Sequence, residues 1–360
     1  MFIVDADIHV NDAPGKLAPY CDEPWRMSLE ALARMPGGRY LDIPGYAPSL
    51  KLDPPIIGMH DYRSVESPPQ MRSELSDLGI DVGILFPDNL LLFAALPNID
   101  YATALSHAYN RWLSTEWAGA EEGFYGALLA CPQNPVDSAG AIRHYGTNPA
   151  IAAVYLPTAG VNPLWGHQKY DPIFAAAQEM NLPVVLHSVT LVSPAFPCNT
   201  DQFENHFGRQ VIGHTFGMMA NLASIMHTGV PVRFPELKVV FTEAGIGWVP
   251  YMIWRMDKYH REYRRMVPIL ERPPSEYIRE RMWFATQPVE EPENPTHLIE
   301  TIHHCGDDRI IFASDWPHHD FDHPKAILNL PMTTELKRMV MGENALAAFD
   351  RISRPVEVNV

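Results

Sequence analysis

Eight short apolar stretches recur along the chain, and their residue pattern is typical of buried β-strands. Each stretch holds β-branched and aromatic residues at consecutive rather than alternate positions, as expected for strands that are covered on both faces. The predicted strands lie at residues 2–7, 82–87, 124–131, 151–156, 183–187, 238–243, 282–286 and 309–314. Strands of this kind are typical of parallel sheets that are packed against helices.

Segments with apolar residues at helical spacing separate these strands. The predicted helices lie at residues 69–78, 100–118, 135–144, 171–180, 216–227, 247–263, 296–304 and 334–349. Strand and helix alternate eight times, which predicts an α/β fold of the (β/α)8 TIM-barrel type. No internal repeat or low-complexity tract appears, so we expect residues 1–360 to form a single barrel domain.

Two long stretches break the alternation of strand and helix. Residues 10–67 separate the first strand from its helix and are rich in Pro and Gly. Because irregular insertions of this length are usually functional, we predict that they form a flap over the C-terminal face of the barrel. Residues 189–212, which follow the fifth strand, are predicted to form a second loop over the same site.

The composition excludes several classes of partner. The 360-residue chain has 46% hydrophobic and 19% charged residues, which is ordinary for a globular protein, and its net charge is −16. So acidic a chain is not expected to bind nucleic acid or an anionic membrane. No GxGxxG or GxxxxGK[ST] motif is present, and no apolar run approaches the roughly 20 residues of a membrane span.

The four cysteines give no sign of a metal knuckle or a disulfide framework. Cys21, Cys131, Cys198 and Cys305 are far apart and form no CxxC pair. The N-terminus lacks a basic segment followed by an apolar one, so no leader peptide is predicted. Reduced thiols favour a cytoplasmic location.

Four of the apolar stretches end in residue types that bind metal ions. They read FIVDADIH (2–9), PVVLHS (183–188), KVVFTEAG (238–245) and RIIFASDWPHH (309–319). Active sites of barrel enzymes are built at the C-terminal ends of the strands, where these side chains would meet. The pattern therefore predicts one metal site assembled from distant parts of the chain.

The ligands that we predict are Asp7, His9, His187 and Asp315. Asp7 and His9 are two residues apart in a strand, so their side chains project to the same side. A mixed carboxylate and imidazole set suits Zn, Mn or Fe(II). Asp5 is a competing carboxylate, but its deeper position in the strand makes it the poorer candidate.

The motifs DADIH, VVLHS and IIFASDWPHHD, in this order, resemble those of the amidohydrolase superfamily. The segments LSDLGIDVGILFP, FYGALLACPQNP and RFPELKVVFTEAGIGWVPYMIWRMD extend the likeness over most of the chain, toward the branch typified by aminocarboxymuconate semialdehyde decarboxylase. The resemblance implies a distorted (β/α)8 barrel with one or two divalent ions. It also implies that Asp7, His9, His187 and Asp315 occupy the ligand positions of the first, fifth and eighth strands.

Three positions depart from the pattern of that superfamily. Asp7 stands where the familiar motif has His, a change that accompanies Mn or Fe in decarboxylases of this branch. Glu243 stands where the sixth strand usually carries His. The fourth strand offers Tyr155 in place of a bridging Lys or Glu, which favours one metal ion, although Glu243, His214 and His319 are candidate ligands of a second.

Candidates for acid–base catalysis are Glu243, His214 and His318. His214 precedes a predicted helix, so it either faces the site or caps that helix. His318 and His319 follow Asp315 closely, and we expect one of them to face the metal pocket and the other to be solvated. A buried Glu243 would have a raised pKa and could then deliver a proton.

These features predict a metal-dependent lyase or hydrolase that decarboxylates or hydrolyses a small organic acid. The alternative is an Fe- or Fe/Mn-dependent oxygenase (hydroxylase) on the same fold, similar to 2-aminoisobutyrate hydroxylase, or a partner subunit of such an enzyme. We expect a homo-oligomer or a hetero-oligomer with a paralogous subunit. Metal content discriminates between these hypotheses, since two ions including Fe would favour the hydroxylase.

Overall fold

The computed structural model describes residues 1–35, 38–41, 65–119, 122–189 and 202–354. Eight parallel strands pair in chain order, from β1 to β8. They are β1 Val4–Val10, β2 Val82–Pro87, β3 Phe124–Leu129, β4 Ile151–Pro157, β5 Val184–His187, β6 Val239–Thr242, β7 Met282–Ala285 and β8 Ile310–Ile311. Every strand is buried along its whole length, which confirms the prediction of strands covered on both faces.

Contacts between the two ends of the chain close the sheet into a barrel. The Ala6 amide donates to the Phe312 carbonyl at 3.0 Å, and the Asp315 amide donates to the Asp7 carbonyl at 3.0 Å. A bridge between Ile8 and Trp316 continues this pairing. The predicted TIM barrel is therefore confirmed, and its first and last strands meet at the residues that carry the candidate ligands.

Helices surround the barrel. They are α1 Pro14–Leu17, α2 Trp25–Arg34, α3 Pro68–Leu78, α4 Ile99–Trp112, α5 Pro135–Tyr145, α6 Asp171–Glu179, α7 His206–His227, α8 Val230–Arg233, α9 Trp248–Tyr263, α10 Pro274–Arg281, α11 Thr296–Cys305, α12 Lys325–Leu328, α13 Thr334–Arg338 and α14 Asn344–Ala348. None of the described helices combines the length and apolar character needed to cross a bilayer.

Some element boundaries differ from the predicted ones. The helix expected at 216–227 begins at His206, because Asn205 accepts a hydrogen bond from the Gly208 amide and caps it there. The helix expected at 334–349 is divided into α13 and α14 by the π-helical turn Met339–Glu343. β8 is shorter than predicted since the Ala313 amide, which would continue the β7 ladder, donates to the Thr286 side-chain hydroxyl at 3.3 Å.

Only parts of the two predicted loops lie within the described residues. Helices α1 and α2 lie within residues 10–67, so the described part of this insertion is not wholly irregular. Residues 42–64 and 190–201 lie outside the described residues. The hypothesis that these loops cover the site therefore stays a prediction.

Helix α4 is inserted beside the C-terminal end of β3. β2 and β3 are paired only as far as Leu85 and Gly126, which leaves the later amide and carbonyl groups of β3 on this side without a strand partner. Asn110 supplies both partners, since the Leu129 amide donates to its Oδ1 at 2.8 Å and its Nδ2 donates to the Leu129 carbonyl at 3.1 Å. The Asn110 side chain thus takes the place of a neighbouring strand.

We expect Asn110→Ala to lower the free energy of unfolding by about 1–3 kcal/mol, because the buried Leu129 amide then loses its acceptor. Asn329→Ala, at an exposed position, is the matched control and should change it by less than about 0.5 kcal/mol. Urea denaturation followed by circular dichroism measures both. Equal stability of the two variants would contradict the assigned role of Asn110.

Candidate metal centre

The side chains of Asp7, His9, His187 and Asp315 meet at the C-terminal face of the barrel, and all four are buried. His9 Nε2 lies 3.0 Å from Asp315 Oδ1 and 3.4 Å from Asp7 Oδ1. His187 Nε2 lies 3.2 Å from Asp7 Oδ1 and 3.3 Å from His9 Nε2. The structure therefore brings together all four residues that the sequence singled out as ligands.

The second nitrogen of each imidazole fixes the orientation of its ring. His9 Nδ1 lies 2.7 Å from the Pro87 carbonyl, and His187 Nδ1 lies 2.7 Å from the Ser188 carbonyl. A carbonyl oxygen only accepts, so each Nδ1 carries a proton and donates it. In the neutral rings both Nε2 atoms then present lone pairs toward each other and toward the carboxylates.

This donor set fits a divalent cation. Two nitrogen lone pairs and two carboxylates repel one another when buried together, and a bound cation reverses the sign of that interaction. A hydrogen bond from Nδ1 to a backbone carbonyl is the usual support of a metal-binding histidine. Two imidazoles and two carboxylates suit Mn, Fe or Zn and leave coordination positions open for a substrate.

The pKa of His187 also indicates that this site attracts positive charge. Burial by itself lowers the pKa of His187, but the charges of Asp7 and Glu243 outweigh it and hold the pKa well above its usual value. Without a metal ion, a proton is the cation that these carboxylates attract. A bound metal would take over that role at Nε2 and leave Nδ1 protonated.

Asp315 follows β8 in a left-handed backbone conformation, with φ 63°. Its Oδ1 lies 2.7 Å from His318 Nδ1, and its Oδ2 accepts from Gln287 Nε2 at 3.2 Å. Burial alone would raise the pKa of Asp315, yet His318 and His9 outweigh it and hold the pKa well below its usual value. Asp315 is therefore ionised, as a metal ligand must be.

Glu243 is the second site residue with a left-handed backbone, at φ 60°. A positive φ is costly for a residue with a side chain and is found preferentially at active sites. The turn after β6 directs the Glu243 carboxyl inward, where Oε2 lies 2.9 Å from His187 Nδ1. Glu243 thus approaches the nitrogen of His187 that faces away from the metal site.

Burial raises the pKa of Glu243, and the charges of Asp315 and Asp7 raise it further, so that the opposing effect of His187 is outweighed. His214 Nδ1 lies 3.8 Å from Glu243 Oε1, and burial lowers its pKa. His214 Nδ1 has no hydrogen-bond partner among the described residues, and the one close approach to Glu243 Oε2 is that of His187 Nδ1. Burial thus disfavours the charged forms of both Glu243 and His214, which stand side by side.

His214 lies inside α7, well past its N-terminus, and its backbone carbonyl accepts from Ser188 Oγ at 2.9 Å. The interpretation of His214 as a helix cap is wrong, because Asn205 caps this helix. The structure thus selects the first of the two alternatives that the sequence left open. His214 faces the site beside Glu243.

His318 is the member of the adjacent histidine pair that packs against the site. Its ring stacks on that of His9 at a centroid distance of 4.1 Å, and its Nε2 lies 3.2 Å from Asp88 Oδ1. His319 lies farther out, with Nδ1 3.4 Å from Asp320 Oδ1. His318 therefore links Asp315 to Asp88.

The described residues contain two groups of at least three ligand atoms that lie within 4.8 Å of one another. These groups are Asp7, His9 and His187, and His9, Asp315 and His318. The alternative second set, Glu243, His214 and His319, does not form such a group in the described part of the chain. Both groups share His9, and neither provides a second site at Glu243.

Asp5 lies below the ligands and joins the two ends of the barrel. It accepts hydrogen bonds from the Ser314 amide at 2.9 Å, from Ser314 Oγ and from the Asp7 amide at 3.1 Å. Burial raises its pKa to about 8 despite these hydrogen bonds. Its place deep in the strand agrees with the lower rank that the sequence gave it.

Sequence reasoning missed two supporting residues, Thr242 and Gln287. Thr242 Oγ1 donates to Asp7 Oδ2 at 2.8 Å, and Gln287 Nε2 donates to Asp315. Both lie at the ends of apolar stretches, so the rule that identified His187 would have found them if amides and hydroxyls had been considered. They orient the two carboxylates that face the metal site.

Comparison with known proteins identifies related sequences. A family model described as amidohydrolase matches residues 90–351. The gamma-resorcylate decarboxylase of Rhodococcus jostii (strain RHA1) is 24% identical over 278 residues, covering 72% of this chain and 80% of that protein. The gamma-resorcylate decarboxylase of Rhizobium sp. (strain MTP-10005) is 27% identical over 275 residues, covering 73% and 71%.

Solved structures share the fold over almost the whole chain. The 5-carboxyvanillate decarboxylase of Sphingomonas paucimobilis superposes with a TM-score of 0.72 at 19% identity, covering 98% of this chain and 99% of that one. A dihydroxybenzoic acid decarboxylase of Polaromonas sp. JS666, with bound manganese and 2-nitroresorcinol, gives 0.68 at 17% identity, covering 98% of each chain. At these identities the likeness establishes the fold alone.

We expect the protein purified without chelators to hold one divalent ion per chain. His187→Ala should weaken metal binding by more than about 100-fold, since changes to residues behind the ligands already cost 10- to 100-fold. Elemental analysis after dialysis measures the bound metal. His319→Ala is the matched control and should keep the ion, and full occupancy of His187→Ala would exclude the assigned site.

Proposed function

This chain belongs to the amidohydrolase family, and on that premise we propose that it is a decarboxylase of a small aromatic carboxylic acid. The predictions of the superfamily, of a metal-dependent lyase or hydrolase and of a divalent-metal cofactor are confirmed. Decarboxylation of an aromatic acid is a more specific statement than these predictions and is our proposal. Its support comes from the site and from the names of the relatives.

One observation carries the proposal: a ligand cluster for a cation and a separate, buried Glu–His pair lie on opposite sides of one ring. His187 offers Nε2 to the cluster of Asp7, His9 and Asp315, while its Nδ1 faces Glu243. Decarboxylation needs both parts, because the carboxylate must be held and the carbon that loses it must receive a proton.

The four ligands would hold the ion as follows. Asp7, His9, His187 and Asp315 would supply its ligands, with Thr242 and Gln287 orienting the carboxylates. A bound divalent ion would fix the oxygens of the substrate and stabilise negative charge on them. The protein itself contributes exclusion of water, since all four ligands are buried.

Glu243 is the proposed proton donor. Its raised pKa keeps it protonated near neutral pH, so that it can give its proton to the ring carbon that bears the carboxylate. The bond from that carbon to the carboxylate then breaks, its electron pair returns to the ring, and CO2 leaves. His214, neutral and adjacent, is placed to return a proton from solvent to Glu243.

The other hypotheses have less support. In the hydrolytic version Asp315 would accept a proton from water, but the relatives described above carry the names of decarboxylases. The oxygenase alternative needs a second ion at Glu243, and no cluster of three ligand atoms among the described residues includes it. That alternative and the partner-subunit hypothesis stay predictions, as do the oligomeric state and the cellular location.

We expect the manganese-loaded protein to release CO2 from 2,6-dihydroxybenzoate or 5-carboxyvanillate. Glu243→Gln should lower kcat about 10²- to 10⁴-fold, the usual contribution of a general acid, while the metal content stays unchanged. Nuclear magnetic resonance in D2O should show one deuterium at the vacated carbon of the product. His319→Ala is the control and should retain normal turnover.

The role of Glu243 would be refuted if Glu243→Gln released CO2 at the normal rate. Formation of an oxygenated product with O2 uptake, instead of CO2 and a protonated ring, would contradict the decarboxylase proposal and restore the oxygenase alternative.

A further inference from the structure

The carboxylate of Glu290 binds the backbone of the turn that carries Glu243. Glu290 Oε1 accepts hydrogen bonds from the Ile246 amide at 3.0 Å and from the Gly247 amide at 2.6 Å. Glu290 Oε2 lies 3.3 Å from the Ile246 nitrogen. Both oxygens of this carboxylate thus face one turn, which lies 43–44 residues earlier in the chain.

The two amides begin helix α9, whose N-terminus has no cap of its own. Gly247 occupies the N-cap position, and as a glycine it has no side chain that could accept a hydrogen bond. The first amides of a helix lack partners within the helix and favour a negative charge nearby. Glu290 therefore supplies, from the loop after β7, the acceptor that a capping side chain at position 247 would otherwise provide.

Two glycines of the turn make room for the Glu290 carboxylate. A Cβ atom at Gly247 would lie 2.9 Å from Glu290 Oε1, and one at Gly245 would lie 2.6 Å from it. Gly245 also has a φ of 62°, which residues with a side chain rarely adopt. The turn is therefore shaped around this carboxylate, since a larger residue at either position would displace it.

A further contact ties the same turn to the loop that follows β7. The Gly245 amide donates to the Gln287 carbonyl at 3.0 Å, and the Gln287 side chain donates to Asp315 at 3.2 Å. The loop of residues 287–290 therefore contacts both a carboxylate of the candidate metal centre and the turn with Glu243. One short segment thus connects the two halves of the site.

Glu243 needs such support because its backbone is left-handed, with φ 60°. This conformation is unfavourable for a residue with a side chain and persists only where surrounding contacts enforce it. Glu243 Oε2 lies 2.9 Å from His187 Nδ1, at the edge of the candidate metal centre. A shift of the turn would therefore move the carboxyl group that acts as proton donor in the proposed function.

We propose that Glu290 is a positioning residue, which fixes the turn through the Ile246 and Gly247 amides and thereby directs the Glu243 carboxyl group. Glu290 acts through Glu243 and takes no direct part in proton transfer. This inference rests on the proposed function, since it concerns proton delivery by Glu243. It adds a second carboxylate to the catalytic arrangement, one whose task is to orient the first.

The first measurement is the rate of CO2 release from 2,6-dihydroxybenzoate or 5-carboxyvanillate by the manganese-loaded protein. Glu290→Met keeps the length of the side chain and removes both acceptor oxygens. We expect kcat to fall about 10- to 100-fold with KM changed by less than about twofold, because a reacting group displaced by about 1 Å can cost 100-fold. Glu290→Gln keeps an oxygen that can accept from both amides, so it should restore kcat to within about threefold of the normal value.

Two comparisons separate positioning from a general loss of structure. Glu291→Met, at the exposed neighbouring position, is the matched control and should keep the normal kcat and metal content. The double variant Glu243→Gln/Glu290→Met should turn over within about threefold of Glu243→Gln alone, because Glu243→Gln has already removed the proton that Glu290 helps to place. Damage to the fold or to metal binding would instead lower the remaining turnover further.

Hydrogen exchange of the peptide that contains residues 243–248 tests the contact without any turnover. The Ile246 and Gly247 amides should exchange about tenfold or more faster in Glu290→Met than in the unaltered protein, because they lose their acceptor. Glu290→Gln should restore slow exchange, and Glu291→Met should leave it unchanged.

The positioning role would be overturned if Glu290→Met kept the normal kcat, if its full cost recurred in the double variant, or if exchange of the turn were unchanged. The outcomes also separate the two proposals. The expected exchange pattern in a protein that releases no CO2 would retain the contact of Glu290 with the turn and reject the decarboxylase. CO2 release at the normal rate by Glu290→Met would retain the decarboxylase and reject the positioning role.

Discussion

Two carboxylates and two imidazoles, buried and linked through His9 and Asp7 by contacts of 3.0–3.4 Å, are the arrangement on which the rest of the molecule depends. Such a group is unfavourable without a cation, and its cost must be offset by the surrounding fold. The barrel does this by closing at the same place: Asp5 binds Ser314, and the Asp315 amide binds the Asp7 carbonyl. The contacts that close the sheet therefore also bring Asp7 and Asp315 together.

The same burial gives neighbouring groups opposite properties. Asp315 stays ionised because His318 and His9 stabilise its charge, whereas Glu243, flanked by other carboxylates, has a raised pKa. Asp315 and Glu243, two carboxyl groups at the same end of the barrel, thus differ in pKa because their neighbours differ. One is suited to binding a cation and the other to carrying a proton.

Much of this could be predicted from the sequence because strand periodicity and strand ends are local properties. The stretch at 82–87 was predicted with its observed bounds, and Asp7, His9, His187 and Asp315 were identified by their place after apolar runs. Two boundaries were predicted wrongly. β8 stops early since the Ala313 amide bonds to the distant Thr286 hydroxyl, and α7 begins early since the sequence reasoning overlooked the local cap at Asn205.

The sequence by itself determined the barrel and identified the candidate ligands and the candidate Glu243, because each follows from residue type and spacing along a strand. Only the tertiary structure decided that His214 joins Glu243 while His318 joins Asp315, since these pairings depend on how helices and loops return to the barrel. It alone also revealed that Glu290 binds the turn that carries Glu243. A contact between segments that are far apart in the chain is set by the fold, and no local pattern in the chain records it.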